Sequence, residues 1–349
     1  MSKLALDGHK LLYHIDRLLP WLNGEEVYPI YASLGPSRLC NHRCIFCAYG
    51  YLDKNKALLE KDLAIRIIDE LAEAGILSIF FSGDGEPLCN PHTAEMIERA
   101  HCSGIDVALN TNGVLMTPKV LEKIMPHLSW MRVSIDAGCE KTYAQIHGTK
   151  ESDFKKVISH LSLVSRMKEE SDFPVTIGTQ YLLLENNWQE LEELALRLTD
   201  AGVEYLAVKP FLKHPSITFQ GGLTITEGKK SILAHLAEKH PIVYIRWDSF
   251  EKYCKRSYTH CLSMPFFLEI TSSGDVYPCG PRLDDERFWM GNLKTHSFKA
   301  LWNSETRRKV VQVLEQELDV STCMPTCRNN ACNEFLWQLK HPPQHVNFI

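Results

Sequence analysis

The chain has 349 residues, is 44% hydrophobic and 23% charged, and carries a formal net charge of -5, which is room for one large folded domain plus a smaller one. The weak negative balance offers no basic field to a phosphate backbone, so a nucleic acid partner is disfavoured and small molecules or peptides remain. No signal-peptide pattern and no apolar run long enough to cross a bilayer is present, so a cytoplasmic protein without a membrane partner is expected; its 12 cysteines then point to metal ligands over disulfides.

Leu4 to Leu22 has the apolar spacing of a helix that closes the bottom of a domain or packs on its C-terminal part. Ile30 to Leu34 reads as a first strand and runs into Cys40-Asn-His-Arg-Cys44-Ile-Phe-Cys47. Asp62 to Ala74 has helical periodicity, and Ile76 to Phe81 is a short apolar run typical of a buried parallel strand, ending in Gly83-Asp84-Gly85-Glu86-Pro87. Strand-like runs at Asp106 to Leu109, Trp130 to Ile135, Val175 to Leu183 and Tyr205 to Val208 then alternate with helical stretches at Thr93 to His101, Pro118 to Ile124, Asp153 to Lys168 and Trp188 to Thr199. Six βα units with right-handed crossovers predict an α/β fold with a parallel sheet and fit an open, partial (β/α)6 TIM-type barrel. Polar groups cluster where strands end: Gly83 to Pro87, Asn110-Thr111-Asn112-Gly113, Ser134 with Asp136, and Lys209. The Asn-Gly pair is also a plain turn signal.

Three thiolates at the spacing of Cys40, Cys44 and Cys47 can hold three irons of a 4Fe-4S cube and leave the fourth open to a small molecule. The alternative is zinc, with His42 or a distant residue as fourth ligand. A Gly pair lets backbone approach a ligand closely, and the Glu86 carboxylate can accept hydrogen bonds from an ammonium group. Cys-x3-Cys-x2-Cys with an aromatic residue before the last Cys, followed by the glycine-rich segment, resembles the radical S-adenosylmethionine (SAM) superfamily over roughly Tyr31 to Phe211. The resemblance implies that the open iron binds the amine and carboxylate of SAM, with Gly83, Gly85 and Glu86 holding its ammonium; Asp84 departs from a strict Gly-Gly-Glu. It also implies that Ser134 and Asp136 contact SAM, with Asn110 and Asn112 beside them. Phe46 covers the cluster or packs on adenine, and Lys209 offers positive charge to a substrate.

In the C-terminal third, Cys261 precedes a hairpin with an apolar strand at Phe266 to Ile270, a turn at Thr271 to Asp275, and Cys279 at the far end. A helical stretch from Ser297 to Leu314 leads to Cys323-x3-Cys327-x4-Cys332. This part resembles the SPASM and Twitch extensions of radical SAM enzymes, which bind auxiliary 4Fe-4S clusters; with fewer cysteines than a full SPASM set, one cluster is favoured and two is the alternative. Cys261, Cys279, Cys323 and Cys327 are assigned to it with Cys332 as substitute, and a zinc knuckle is the alternative. Cys254 is a spare ligand or a thiol that returns a hydrogen atom to a substrate radical. Cys89, Cys102 and Cys139 are expected to be buried small hydrophobes. The expected division is an N-terminal helical extension over 1–28, a core barrel over 29–215, a linking segment over 216–253 and an auxiliary-cluster domain over 254–349. The resemblance implies reductive cleavage of SAM by electrons from a flavodoxin or ferredoxin. Hydrogen abstraction from a carbohydrate or small metabolite then ends in dehydrogenation or epimerisation. A ribosomally made peptide is the second substrate class, and a non-catalytic electron carrier or zinc scaffold is the alternative to an enzyme.

Overall fold

The structure is a computed structural model that describes residues 9–52, 57–211, 213–214, 216–251, 255–325 and 327–348. Its parallel strands are β1 (Tyr31–Leu34), β2 (Ser78–Phe81), β3 (Asp106–Thr111), β4 (Trp130–Ser134), β5 (Thr176–Leu183), β6 (Tyr205–Pro210) and β7 (Val243–Ile245). β8 (Phe267–Ile270), β9 (Asp275–Tyr277) and β10 (Gly291–Asn292) follow, and all ten form one sheet in the order β10-β9-β8-β1-β2-β3-β4-β5-β6-β7. The six predicted units are the middle of this sheet. β7 adds a parallel strand beside β6, and the predicted hairpin places β8 parallel to β1, with Tyr31 opposite Phe267.

Helices cover the outer face because their apolar stripes match it. Lys61–Glu73 buries Leu63, Ala64, Ile67, Ile68 and Leu71, a spacing that keeps one side of the helix in the core. The strands obey their period of two: in β4, Met131 and Val133 are buried while Arg132 and Ser134 occupy the alternate, partly open face. That alternation is what aims polar side chains at the concave side. The stretch read as one helix from Ser297 to Leu314 is two, Phe298–Trp302 and Glu305–Gln312. Ser304 starts the second by accepting a bond from Arg307 N, so an N-cap interrupts the periodic pattern. The N-terminal helix Ile15–Leu22 packs on the C-terminal part: Leu18 and Trp21 share a cluster with Leu262, Phe266 and Leu336. Among the described residues no helix is long and apolar enough to cross a membrane.

One buried ion pair joins the loop after β1 to both neighbouring parts. Arg38 Nε donates to Asp84 Oδ2 at 2.8 Å, and its two terminal nitrogens donate to Asp284 at 3.1 and 3.2 Å. The Arg38 and Asp84 side chains are 6% and 0% exposed, so deleting either partner strands a charge away from water. Arg38→Met is expected to lower stability by about 3–5 kcal/mol, and Arg38→Met with Asp84→Leu by clearly less. Chemical denaturation measures this, and a single variant as stable as the parent would contradict it.

Candidate active site

The loop carrying Cys40, Cys44 and Cys47 has no regular structure and is held by its surroundings. Gly83 has φ +118, and a Cβ there would sit 2.7 Å from Gly35 Cα; a Cβ on Gly85 would lie 2.5–2.6 Å from Ser37 O, Arg38 C and Leu39 O. The two glycines therefore let the segment after β2 lie flat on the lead-in to Cys40, and Glu86 N donates to Leu39 O at 2.9 Å. On the other side Arg43 N and Ile45 N donate to His147 O and Ile146 O, both at 2.9 Å. Gly148, at φ +57, ends the helix Glu140–His147 where a Cβ would meet Arg43 O at 2.4 Å. Asn112 Nδ2 donates to Asn41 Oδ1 at 2.7 Å and ties the same loop to the end of β3.

These contacts bring the three thiols to one cavity of about 370 Å³ at the strand ends, whose lining includes no other cysteine among the described residues. Burial pushes the Cys44 thiol well up, and the neighbouring Cys47, Cys40 and Asp136 push it further. Thiols crowded this way ionise only beside positive charge, so the donor set fits a bound iron-sulfur cluster. Phe46 lines the cavity, lies edge-on to His147 at 5.9 Å and packs beside Ile146, Leu184 and Phe211.

Glu86 is buried across the cavity. Its Oε1 accepts from Thr111 Oγ1 at 2.6 Å and Leu88 N at 3.1 Å, its Oε2 from Asn112 N at 2.7 Å. Burial raises its carboxyl above the ordinary range and these three bonds oppose the rise. Asp84, the departure from Gly-Gly-Glu, is the counter-ion of Arg38; its carboxyl is raised by burial, with Arg38 acting against it. Asn110 Oδ1 accepts from Arg132 Nε at 3.0 Å, and the turn that Asn-Gly signals also forms, with Gly113 at φ +80. Ser134 lines the cavity; Asp136 instead accepts from Leu182 N at 2.5 Å and lies 3.5 Å from His147 Nε2. Burial pushes the Asp136 carboxyl up to about 7. Lys209 reaches the cavity from β6, its ammonium pushed down to about 7 by burial and by Arg132 and Arg246.

Sequence reading missed His147, Arg132 and Arg328. His147 is buried, and Asp136 N donates to its Nε2 at 3.2 Å. That bond leaves the ring proton on Nδ1, 3.3 Å from Cys44 Sγ. Burial pushes its pKa down to about 3, so the ring stays neutral. His42, Cys44 and His147 bring their ligand atoms within 4.8 Å of one another, and both His42 nitrogens lack hydrogen-bond partners. The only signal for His147 was the glycine that follows it.

A second cavity of about 550 Å³ is lined by Cys279, Cys323 and Cys327, and Met324 lines both cavities. Burial raises Cys279 well above its ordinary range, followed by the charges of Cys327, Cys261 and Cys323. Three of the four assigned thiols thus share one cavity, while Cys261 is not in its lining and accepts from Asn333 Nδ2 at 3.7 Å. Arg282 Nη2 donates to Cys323 Sγ at 3.5 Å and Asn329 N to Cys327 Sγ at 3.4 Å. Cys332 sits in the apolar cluster with Leu262, Phe266 and Leu336, although its thiol still feels Cys327 and Cys261. Cys254 lies outside the described residues. Against expectation Cys102 is exposed and Cys89 and Cys139 are only half-buried: Cys102 closes the helix Thr93–Cys102 on its outer side, and Cys139 is the N-cap residue of Glu140–His147.

Two family models match the chain: the radical SAM superfamily over residues 34–206, and the SPASM iron-sulfur cluster-binding domain over residues 261–333. The AdoMet-dependent heme synthase of Methanosarcina barkeri is 27% identical over 302 residues, covering 78% of this chain and 81% of that protein. The antilisterial bacteriocin subtilosin biosynthesis protein AlbA of Bacillus subtilis is 23% identical over 300 residues, covering 83% of this chain and 63% of its own length. Among solved structures, Streptococcus suis SuiB bound to the precursor peptide SuiA superposes with a TM-score of 0.67 at 13% identity, covering 86% of this chain and 71% of that one, a likeness of fold. The chain belongs to the radical SAM superfamily and ends in a SPASM domain, which makes a 4Fe-4S cluster, SAM and auxiliary iron-sulfur its cofactors.

Proposed function

We propose that this radical SAM enzyme removes a hydrogen atom from a small-molecule substrate, a carbohydrate or other metabolite, on the way to dehydrogenation or epimerisation. The observation that carries this reading is the cavity lined by three cysteines and, among the described residues, no fourth, with the Glu86 carboxylate buried opposite them. With a reduced 4Fe-4S cluster and SAM held there, the chemistry supplied would be hydrogen abstraction by a 5'-deoxyadenosyl radical. Cys40, Cys44 and Cys47 hold the cluster. Glu86 retains acceptor capacity beyond its three hydrogen bonds and takes the ammonium of SAM. Ser134 presents its hydroxyl from β4, and Phe46 gives the cavity an apolar wall. Gly83, Gly85, Asn110 and Asn112 serve by holding Glu86, Arg132 and Asn41 in place, and Asp136 serves by orienting His147. The Nδ1–H of His147 is aimed at Cys44 Sγ, a bond that would stabilise the reduced form of a cluster held by that thiolate.

The auxiliary cluster is assigned to Cys261, Cys279, Cys323 and Cys327, within a domain over 254–349 that follows the core at 29–215, the linking segment 216–253 and the extension 1–28. Met324, shared by both cavities, supports an oxidative outcome in which an electron leaves the substrate toward this side. The reductant is a flavodoxin or ferredoxin. A peptide substrate is the second reading, supported by the resemblance to the bacteriocin biosynthesis protein along most of this chain.

Three measurements test the assignments. Cys44→Ala is expected to abolish 5'-deoxyadenosine formation by the reconstituted, reduced protein with SAM, and formation at the parental rate contradicts the placement of the first cluster. Cys279→Ala is expected to lower iron content while the signal of the first cluster persists; full iron retention counts against the auxiliary ligand set. His147→Phe is expected to shift the midpoint potential of the first cluster to a more negative value, with His147→Gln recovering part of the shift, because loss of an N–H···S bond disfavours the reduced state. Potentiometric EPR titration reads it, and an unchanged potential contradicts the role.

A further inference from the structure

We infer that the substrate is an anion of about two negative charges, a phosphate or a pair of carboxylates, received by Arg132, Lys209 and Arg328. The inference rests on the small-molecule reading above and narrows it. Arg132 projects from β4, Lys209 from β6 and Arg328 from the segment between Cys327 and the helix Asn330–Lys340, and all three line the cavity of the three cysteines. None of the three is in an ion pair among the described residues. Of the acids nearby, Asp84 is paired with Arg38 and Glu86 is bonded to Thr111, Asn112 and Leu88, while Asp136, bonded to Leu182 N, is the one whose charge reaches Lys209; no acid forms an ion pair with Arg132 or Arg328 among the described residues.

The cations are also held in position. The Arg132 guanidinium is fixed by Asn110 and stands 5.8 Å from the Phe80 ring and 5.5 Å from that of Trp130. Arg328 lies 4.6 Å above the Tyr31 ring and 5.4 Å from Phe80, with its tip bonded to Tyr31 Oη. One aromatic ring thus serves both guanidinium groups, an arrangement that orients planar forks without neutralising them. Burial makes charge on Arg132 and Lys209 unfavourable, and Arg246 adds repulsion to both. A cavity that gathers like charges this way is stabilised by an anion, and guanidinium forks match phosphate and carboxylate oxygens in pairs. One guanidinium fork is enough to satisfy both oxygens of the SAM carboxylate. The other two cations belong to the substrate, and because Arg328 comes from the C-terminal domain, that domain completes the substrate site.

The test uses the full reconstituted protein with SAM and reductant. Extract from cells grown in heavy water is split on an anion exchanger at mildly alkaline pH, and each fraction is assayed for deuterium transfer into 5'-deoxyadenosine. Transfer is expected from retained fractions that elute with dianions, and transfer from the unretained fraction overturns the inference. Phosphatase treatment of the active fraction distinguishes the sources: loss of transfer means phosphate, persistence means carboxylates. With Arg328→Gln, about tenfold more of the active fraction is expected for half-maximal transfer per mole of bound iron, and an unchanged requirement overturns the role of this residue. Lys209→Gln, read the same way, serves if the first variant does not fold. If wild-type protein cleaves SAM yet no fraction donates deuterium, the small-molecule reading itself fails and this inference falls with it.

Discussion

The close approach of two glycines to an irregular loop is the constraint on which the rest of the site depends. The loop of Cys40, Cys44 and Cys47 forms no ladder or helix of its own, so its shape comes from what presses on it: Gly83 and Gly85 on one side, Gly148 on the other, and Asn112 from β3. Adding a Cβ at any of these glycines would collide with loop backbone. Such contacts fix three thiols before a metal arrives, which lowers the ordering cost of binding it. The Arg38 pair extends the same frame to the C-terminal domain, where Asp284 holds a left-handed φ of +60 that an Asp adopts only with support.

Charge divides the cavity. Glu86 and the three thiols line it together with Arg132, Lys209 and Arg328, none of which is in an ion pair among the described residues. A zwitterion with an ammonium and a sulfonium suits Glu86 and the thiols, and an anion suits the cations. The protein places opposite preferences side by side and needs no moving part among the described residues to do so. The neutral His147 ring sits beside Cys44, where its single available proton is aimed at sulfur.

Much of this was legible in the sequence because it rests on local pattern. Short apolar runs alternating with helical periodicity marked β1 to β6, since a strand buried in a parallel sheet needs little more. The Cys spacing and the Glu86 segment declared their chemistry through residue type alone. What remained hidden depends on pairing across long separations. β8 joins β1 from more than two hundred residues away, and nothing in Phe267–Ile270 names its neighbour. Gly83 and Gly85 line the cavity, and the residue types alone did not show that they also accommodate the backbone of residues 35–39. His147, Arg132 and Arg328 were invisible because a single polar residue in an otherwise ordinary segment acquires meaning only from what faces it. The long helix expected at Ser297 to Leu314 broke at Ser304, where a capping hydroxyl outweighs continued periodicity.

The most direct test of the central claim is Mössbauer spectroscopy of anaerobic, isotopically enriched protein in which Cys261, Cys279, Cys323 and Cys327 are replaced by Ala, recorded with and without SAM. A single remaining cluster in which one iron site changes its parameters when SAM is added is the predicted result. A spectrum indifferent to SAM, with all irons alike, would contradict the account.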